Sequence, residues 1–368
     1  INSAEDLAAF NVSEDRITRE SPVGKIIFMF PGQGSQYAGM GADLYKHEPV
    51  FRQHLDAGLS YIYELTNEDF RPVLFPDTDD QRINDTRYAQ PLIFLLEYAL
   101  SKLLLSWGLR PSFMIGHSIG EYVAAAVSGV FSFEDALRLL VHRGELMSGL
   151  PHGGMLSVGL DEESVKPYLN DNISLAAVNS SRQVVLSGDL NAIAQLEQQL
   201  AEEEVAYVRL NTSHAFHSAM QESILPAYRN LLESVVFGEI EIPFISNLTG
   251  QLVTTDVLTP EYWIRHLRET VRFADGLQTL LTTAANAVFI EVGAGRTLLP
   301  LLQKRAALSV NLMRTVKENR PDDACLLEAI GKLWANGVQV DWTAFQAAES
   351  RRRISLPTYS FEPVPYPA

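Results

Sequence analysis

Gly116-His117-Ser118-Ile119-Gly120 constrains the folding of this chain more than any other stretch. A short apolar run, Phe113-Met114-Ile115, leads into it, and helical apolar spacing from Ile119 to Val127 leads out. A serine at that junction lies on a sharp strand-to-helix turn, and glycines on both sides remove the Cβ atoms that would clash there. The helix that follows aims its first N–H groups at the serine, which favours negative charge developing beside it. Strands ending in glycine loops recur at Ile26-Ile27-Phe28-Met29-Phe30, followed by Pro31-Gly32-Gln33-Gly34, and at Ala287–Glu291, followed by Gly293-Ala294-Gly295. Helical spacing returns from Phe133 to Met147, with Ser132 placed as N-cap and Asp135 in the first turn. The alternation predicts an α/β fold with a mostly parallel, buried sheet covered by helices.

Between Met155 and Leu210 the order changes. Strand (Met155–Val158), helix (Glu162–Leu169), strand (Leu175–Val178), strand (Val184–Ser187), helix (Leu190–Glu203) and strand (Tyr207–Leu210) make a βαββαβ string. That order predicts a small ferredoxin-like subdomain inserted into the larger α/β-hydrolase-like one. The expected organisation is an upstream linker remnant at 1–22, a large subdomain at 23–152 and 212–320, the small subdomain at 153–211, and a C-terminal helix and linker at 321–368. The last stretch, from Arg351 to Ala368, is too rich in proline for a regular helix and is expected to lie along the surface, pinned by Tyr359, Phe361 and Tyr366.

Composition closes off several classes of function. One cysteine, Cys325, excludes an internal disulfide framework and a Cys-rich metal site, and it is expected to be a small buried hydrophobe. A formal charge of −16 argues against general nucleic-acid binding, which needs a basic face. No apolar run approaches the roughly 20 residues that span a bilayer, and Ile1–Asp15 is too acidic for a signal peptide, so the expectation is a soluble cytoplasmic chain without a membrane partner.

An elbow serine needs a base. Of the eight histidines, His117 is expected to point away across the turn, His47 and His54 to be solvated, and His142 and His152 to accompany the end of a helix. Ser213-His214-Ala215-Phe216-His217-Ser218 follows the last strand of the inserted unit, where the chain returns to the large subdomain, so one of its two histidines is the best base. Pro31-Gly32-Gln33-Gly34-Ser35-Gln36 either offers an oxyanion donor or is a plain tight turn; it lacks the Lys-Ser/Thr of a phosphate loop. Arg143, among Leu139, Leu140 and Leu146, either reaches solvent or meets an anion.

PGQGSQ, GHSIGEYVAA, RGELM, SHAFHS and EVGAGRTLL, in that order and spacing, resemble the malonyl acyltransferases of fatty-acid and polyketide synthesis over about Lys25 to Arg305. Val340-Asp341-Trp342 and the LPTYSFEP segment look like the linker that follows the acyltransferase in modular type I polyketide synthases, implying an excised domain. The resemblance implies Ser118 as nucleophile, His217 as base, and the backbone N–H groups of Gln33 and Ile119 as oxyanion donors. It implies that Arg143 pairs with the free carboxylate of a malonyl group, and that His266 supplies a carbonyl orienting the catalytic histidine. Gln90, Met147, Asn179, His214 and Phe216 are implied as substrate-binding positions. Thr270 stands where many members have proline.

What the resemblance implies is transfer of malonyl from malonyl-CoA to Ser118, then to the phosphopantetheine thiol of an acyl carrier protein. No tightly bound cofactor or metal is implied, and the neighbouring partner would be a ketosynthase of the same polypeptide. His214-Ala215-Phe216-His217 resembles the form typical of malonyl rather than methylmalonyl selection. One rival is a thioester hydrolase or editing enzyme, though a hydrolase triad usually runs Ser, Asp or Glu, His. The other is a non-catalytic docking domain, which the intact Ser118, His217 and Arg143 disfavour.

Overall fold

The computed structural model describes residues 24–347 apart from 79 and 304. The linkers expected at 1–22 and from Arg351 to Ala368, with Tyr359, Phe361 and Tyr366, lie outside the described residues. The strands are β1 (Ile26–Phe30), β2 (Phe113–Gly116), β3 (Gly153–Val158), β4 (Ile173–Ser180), β5 (Gln183–Asp189), β6 (Tyr207–Arg209), β7 (Phe244–Ile245), β8 (Val288–Glu291) and β9 (Leu308–Asn311). They form two sheets, a five-stranded one in the order β7-β2-β1-β8-β9 and a four-stranded one in the order β4-β5-β3-β6.

Every pair in the larger sheet is parallel, with Phe30 opposite Gly116 and Met29 opposite Glu291. Parallel neighbours demand crossover helices on both faces, which is why β1, β2 and β8 are apolar almost without interruption. Three adjacent strands, β1, β2 and β8, therefore end side by side, and the glycine loops predicted after them converge at one sheet edge. The smaller sheet is antiparallel throughout and carries the βαββαβ connectivity. Its strand alternation divides it between two cores: Leu156, Val158, Val184 and Leu186 pack with Ile193 and Leu196 of the Leu190–Glu202 helix, while Met155, Ala176 and Val185 join the large core.

The Ile119–Ser128 and Phe133–Ser148 helices form where apolar spacing placed them, and Ser132 caps the second by accepting from the Asp135 N–H at 3.0 Å. The Thr86–Ser106 helix corrects one expectation: it is long and apolar enough to cross a membrane by length and composition. It is instead a core helix, with nearly every side chain packed inside protein. Glu97, fully buried within it and beside Glu291, is held well above the usual carboxylate range by burial first and the second carboxylate next. Cys325 is buried, as expected from the sequence.

Candidate active site

The elbow is built by close approach. A Cβ on Gly120 would lie 2.1 Å from the Phe30 carbonyl oxygen, and one on Gly116 would lie 2.0 Å from the Gly120 carbonyl carbon. Ser118 takes φ 53° and ψ −109°, a strained conformation for a residue with a side chain. Asn247, which follows β7 and which sequence reasoning missed, holds it there. Its Oδ1 accepts from the Ser118 N–H at 2.8 Å and its Nδ2 donates to the Gly116 carbonyl at 2.8 Å, so one amide grips the turn on both sides of the serine. The backbone N–H of Asn247 donates to buried Glu121 at 2.8 Å, and Tyr262 donates to the other carboxylate oxygen.

His217 lies 2.7 Å from Ser118 Oγ through Nε2. Its Nδ1 donates to the Glu269 carbonyl at 3.0 Å, which fixes the proton on Nδ1 and leaves Nε2 to accept from the serine. Among the described residues no carboxylate contacts His217, so the arrangement is a dyad oriented by a backbone carbonyl. This corrects the expectation for His266. That residue remains inside the Pro260–Arg268 helix, its ring centroid 6.1 Å from that of His217 and its Nε2 3.2 Å from Glu121. Glu269 has left the helix at φ −88° and ψ 168°, and so turns its carbonyl sideways into the site.

Burial holds the His217 imidazole well below its ordinary pKa of 6.5, with smaller contributions of the same sign from His266, Arg143 and His117. The ring is therefore neutral near pH 7 and ready to take a proton. His117 does turn away from the serine, its Nε2 2.8 Å from Asn179 Oδ1. His54, expected to be solvated, is half-buried against the Tyr98 ring.

The loop after β1 closes over the same point, since a Cβ on Gly32 would lie 2.7 Å from the His117 carbonyl oxygen. Gln33 lines a cavity of about 280 Å³ together with Ser118, His217, Phe216 and Asn179. Among the described residues the N–H groups of Gln33 and Ile119 donate to no protein acceptor.

Arg143 is 1% exposed, and among the described residues it forms no ion pair with an acid. Its Nη1 donates to Gln90 Oε1 at 2.6 Å, its Nε has no partner among the described residues, and its guanidinium stands 5.8 Å from the Tyr122 ring centroid. The side chain does not reach solvent. Gln90 Nε2 in turn donates to Met147 Sδ at 3.2 Å and reaches Gln33 Oε1 at 3.5 Å, which ties the arginine to the loop after β1. Phe216 is 8% exposed, whereas His214 is buried outside the cavity lining, its Nδ1 2.8 Å from Ser213 Oγ.

A family model described as an acyl transferase domain matches residues 27–333, which include both sheets and every side chain of this site. The chain belongs to the acyl transferase domain family. This acyl transferase domain is 38% identical over 344 residues to the phenolphthiocerol synthesis polyketide synthase Pks15/1 of Mycobacterium marinum, covering 92% of the chain and 16% of that protein. It is also 38% identical over 343 residues to the mycoketide-CoA synthase of Mycobacterium tuberculosis, covering 92% of the chain and 8% of that protein. The chain thus spans a small part of the curated relatives it matches, which are modular polyketide synthases.

Solved acyl transferase domains share its shape. That of ZmaA superposes with a TM-score of 0.85 at 38% identity, covering 92% of this chain and 81% of that one. The domain from the second module of the salinomycin polyketide synthase gives 0.84 at 39%, covering 91% and 79%. FabD from Acinetobacter baumannii, at 23% identity and a TM-score of 0.74 over 84% of this chain and 98% of that one, shares the fold.

Proposed function

We propose that this acyl transferase domain takes malonyl from malonyl-CoA onto Ser118 and passes it to the phosphopantetheine thiol of an acyl carrier protein, beside a ketosynthase of the same polypeptide. The observation that carries the reading is Arg143, a buried guanidinium with no acidic partner among the described residues, close enough to the serine–histidine dyad to act on His217. A buried cation of that kind is stabilised by an anion brought in with the substrate, and malonyl carries a free carboxylate.

In the first half-reaction the Ser118 hydroxyl gives its proton to His217 Nε2 as Oγ attacks the thioester carbon. The Gln33 and Ile119 N–H groups take up the oxyanion; as the tetrahedral intermediate collapses, the coenzyme A sulfur leaves with the proton from Nε2. In the second, the carrier thiol gives its proton to His217, its sulfur attacks the serine ester, and Ser118 Oγ leaves with that proton. Atoms and charges balance with these groups alone.

Intact-protein mass spectrometry after incubation with malonyl-CoA tests the reading. The expected result is a malonyl adduct located on Ser118 and discharged by added carrier protein. Release of free malonate at a comparable rate without carrier would assign the chain to hydrolysis, and absence of any adduct would make it a docking domain.

Two outcomes follow from the geometry. Because His217 is neutral well below its ordinary pKa, acylation should hold its plateau as pH falls through 6.5 and decline only further into acid. A rate limb centred at 6.5 would contradict the buried environment of the ring. In a competition at equal concentrations, malonyl-CoA should win over methylmalonyl-CoA by roughly 10- to 200-fold, the worth of one methyl against an apolar wall. Phe216 supplies that wall, so Phe216→Ser should narrow the ratio; an unchanged ratio would place selectivity elsewhere in the cavity.

A further inference from the structure

We infer that Thr270 is a positioning residue for the dyad, acting through the strip of chain that carries the Glu269 carbonyl. The inference rests on the acyl-transfer reading for its kinetic consequence, but its geometric basis is independent of any substrate.

β4 is one of the two outer strands of the small sheet, and its pairing with β5 slips between Leu175 and Ala177, leaving Ala176 as an extra residue. In a regular strand successive carbonyls point to opposite sides; a bulge re-aims one of them. Here the carbonyls of Leu175 and Ala176 both face residues 270–271. The Leu175 carbonyl accepts from Thr270 Oγ1 at 2.7 Å and the Ala176 carbonyl from the Val271 N–H at 2.9 Å, while the Val178 N–H donates back to Val271 at 2.9 Å.

The next residue, Arg272, gives its N–H to the Asn247 carbonyl at 2.7 Å, and its guanidinium to Glu162 at 2.6 Å and Asp275 at 2.8 Å. Residues 269–272 therefore tie three things together: the edge of the small sheet, the carbonyl on His217 Nδ1, and the asparagine that grips the Ser118 turn. Within the strip Thr270 supplies the side-chain hydrogen bond to β4, at the residue adjoining the catalytic carbonyl. Its hydroxyl ties to the Leu175 carbonyl at the bulge, and so fixes where Glu269 ends. The side chains of Glu269, Thr270 and Arg272 take part in the strip beside its main chain, the Glu269 carboxylate accepting from Arg265 at 2.8 and 3.0 Å.

Thr270→Val keeps the shape of the side chain and removes the hydroxyl; Thr270→Ser keeps the hydroxyl. The rate of malonyl adduct formation should fall about three- to tenfold in the valine variant, in its maximal rate rather than in the concentration of malonyl-CoA needed for half-saturation, and should be restored by serine. An NMR titration of the His217 ring in the free protein gives a readout that needs no substrate. The groups facing that ring are Ser118, His117, His266 and Arg143, all unchanged by the substitution. The Glu269 bond favours the protonated ring, so its loosening should move the His217 titration to lower pH in Thr270→Val and leave it in place in Thr270→Ser.

A valine variant that acylates and titrates like the parent overturns the inference, as does a slower rate with an unmoved titration, or an equal loss of rate and melting temperature in both variants. If the parent protein itself forms no adduct, the acyl-transfer reading fails, and the titration alone still decides whether Thr270 positions the histidine.

Discussion

His217→Ala is expected to slow the proposed transfer of malonyl to Ser118 by about 10²- to 10⁴-fold, and Ser118→Ala to abolish the covalent adduct. Both expectations come from one contact, the 2.7 Å approach of Ser118 Oγ to His217 Nε2, with the ring held neutral and its other nitrogen committed to Glu269. A serine hydroxyl is a weak nucleophile at its own pKa, so removing the acceptor leaves the elbow and its N–H groups intact but without a proton path. His214→Ala is the matched control. His214 is also buried, yet its Nδ1 is engaged with Ser213 Oγ, and it packs against His152 and Phe216 rather than Ser118. Rapid-quench measurement of the adduct by intact mass separates the variants. Equal losses at 214 and 217 would mean that the dyad geometry does not carry the base, and an adduct persisting in Ser118→Ala at the parent rate would remove the nucleophile assignment.

The serine elbow was legible because its signal is local, whereas the choice of His217 over His214, 99 positions from the serine, came only from the family resemblance. Glycines at 116 and 120 are required by atoms within one turn and one neighbouring strand, so a pattern of five residues states the geometry almost completely. The inserted unit was legible for a similar reason: its strands and helices each bury one face, and the period of that burial is written in consecutive residues, as in Val184–Leu186 and Ile193–Leu200. β7 and β9 carried no such mark. A strand of two residues has no period, and β9 owes its place to parallel pairing with β8 rather than to its own alternation.

Contacts between distant segments were the least legible part of the site. Asn247 grips a serine 129 positions away, and the carbonyl on His217 belongs to Glu269 because the helix ends one residue earlier. The family resemblance placed that carbonyl on His266, three positions too early, because the resemblance does not say where this helix ends. The Thr86–Ser106 helix shows the converse. Its composition matches a membrane span, and only the packing around it shows that the apolar surface is spent on the core.

Arg143→Ala should weaken acylation by malonyl about 100-fold or more while changing acylation by acetyl only a few-fold, so that the preference between the two esters collapses. The side chain is 1% exposed and donates to Gln90 Oε1 at 2.6 Å, but among the described residues its Nε is unpaired and no acid forms an ion pair with it. A charge taken out of water this far is costly, and a neutral amide offsets only part of that cost. A carboxylate arriving with the substrate completes the pairing through two charge-assisted hydrogen bonds of about 1.5–3 kcal/mol each, which is the origin of the expected factor. Acetyl brings no such group and has nothing to lose. Lysine at this position should rescue poorly, because a single ammonium cannot hold Gln90 and a bidentate carboxylate together. A second consequence concerns the base. Arg143 is among the charges that lower the His217 pKa, so removing it should raise that pKa and move the acid limb of acetyl transfer to higher pH. Competition between malonyl-CoA and acetyl-CoA, followed by adduct mass at several pH values, reads both effects in one series. If Arg143→Ala keeps the parent's preference for malonyl, the guanidinium serves the packing around Gln90 and Tyr122 alone, and the carboxylate of the substrate is recognised elsewhere.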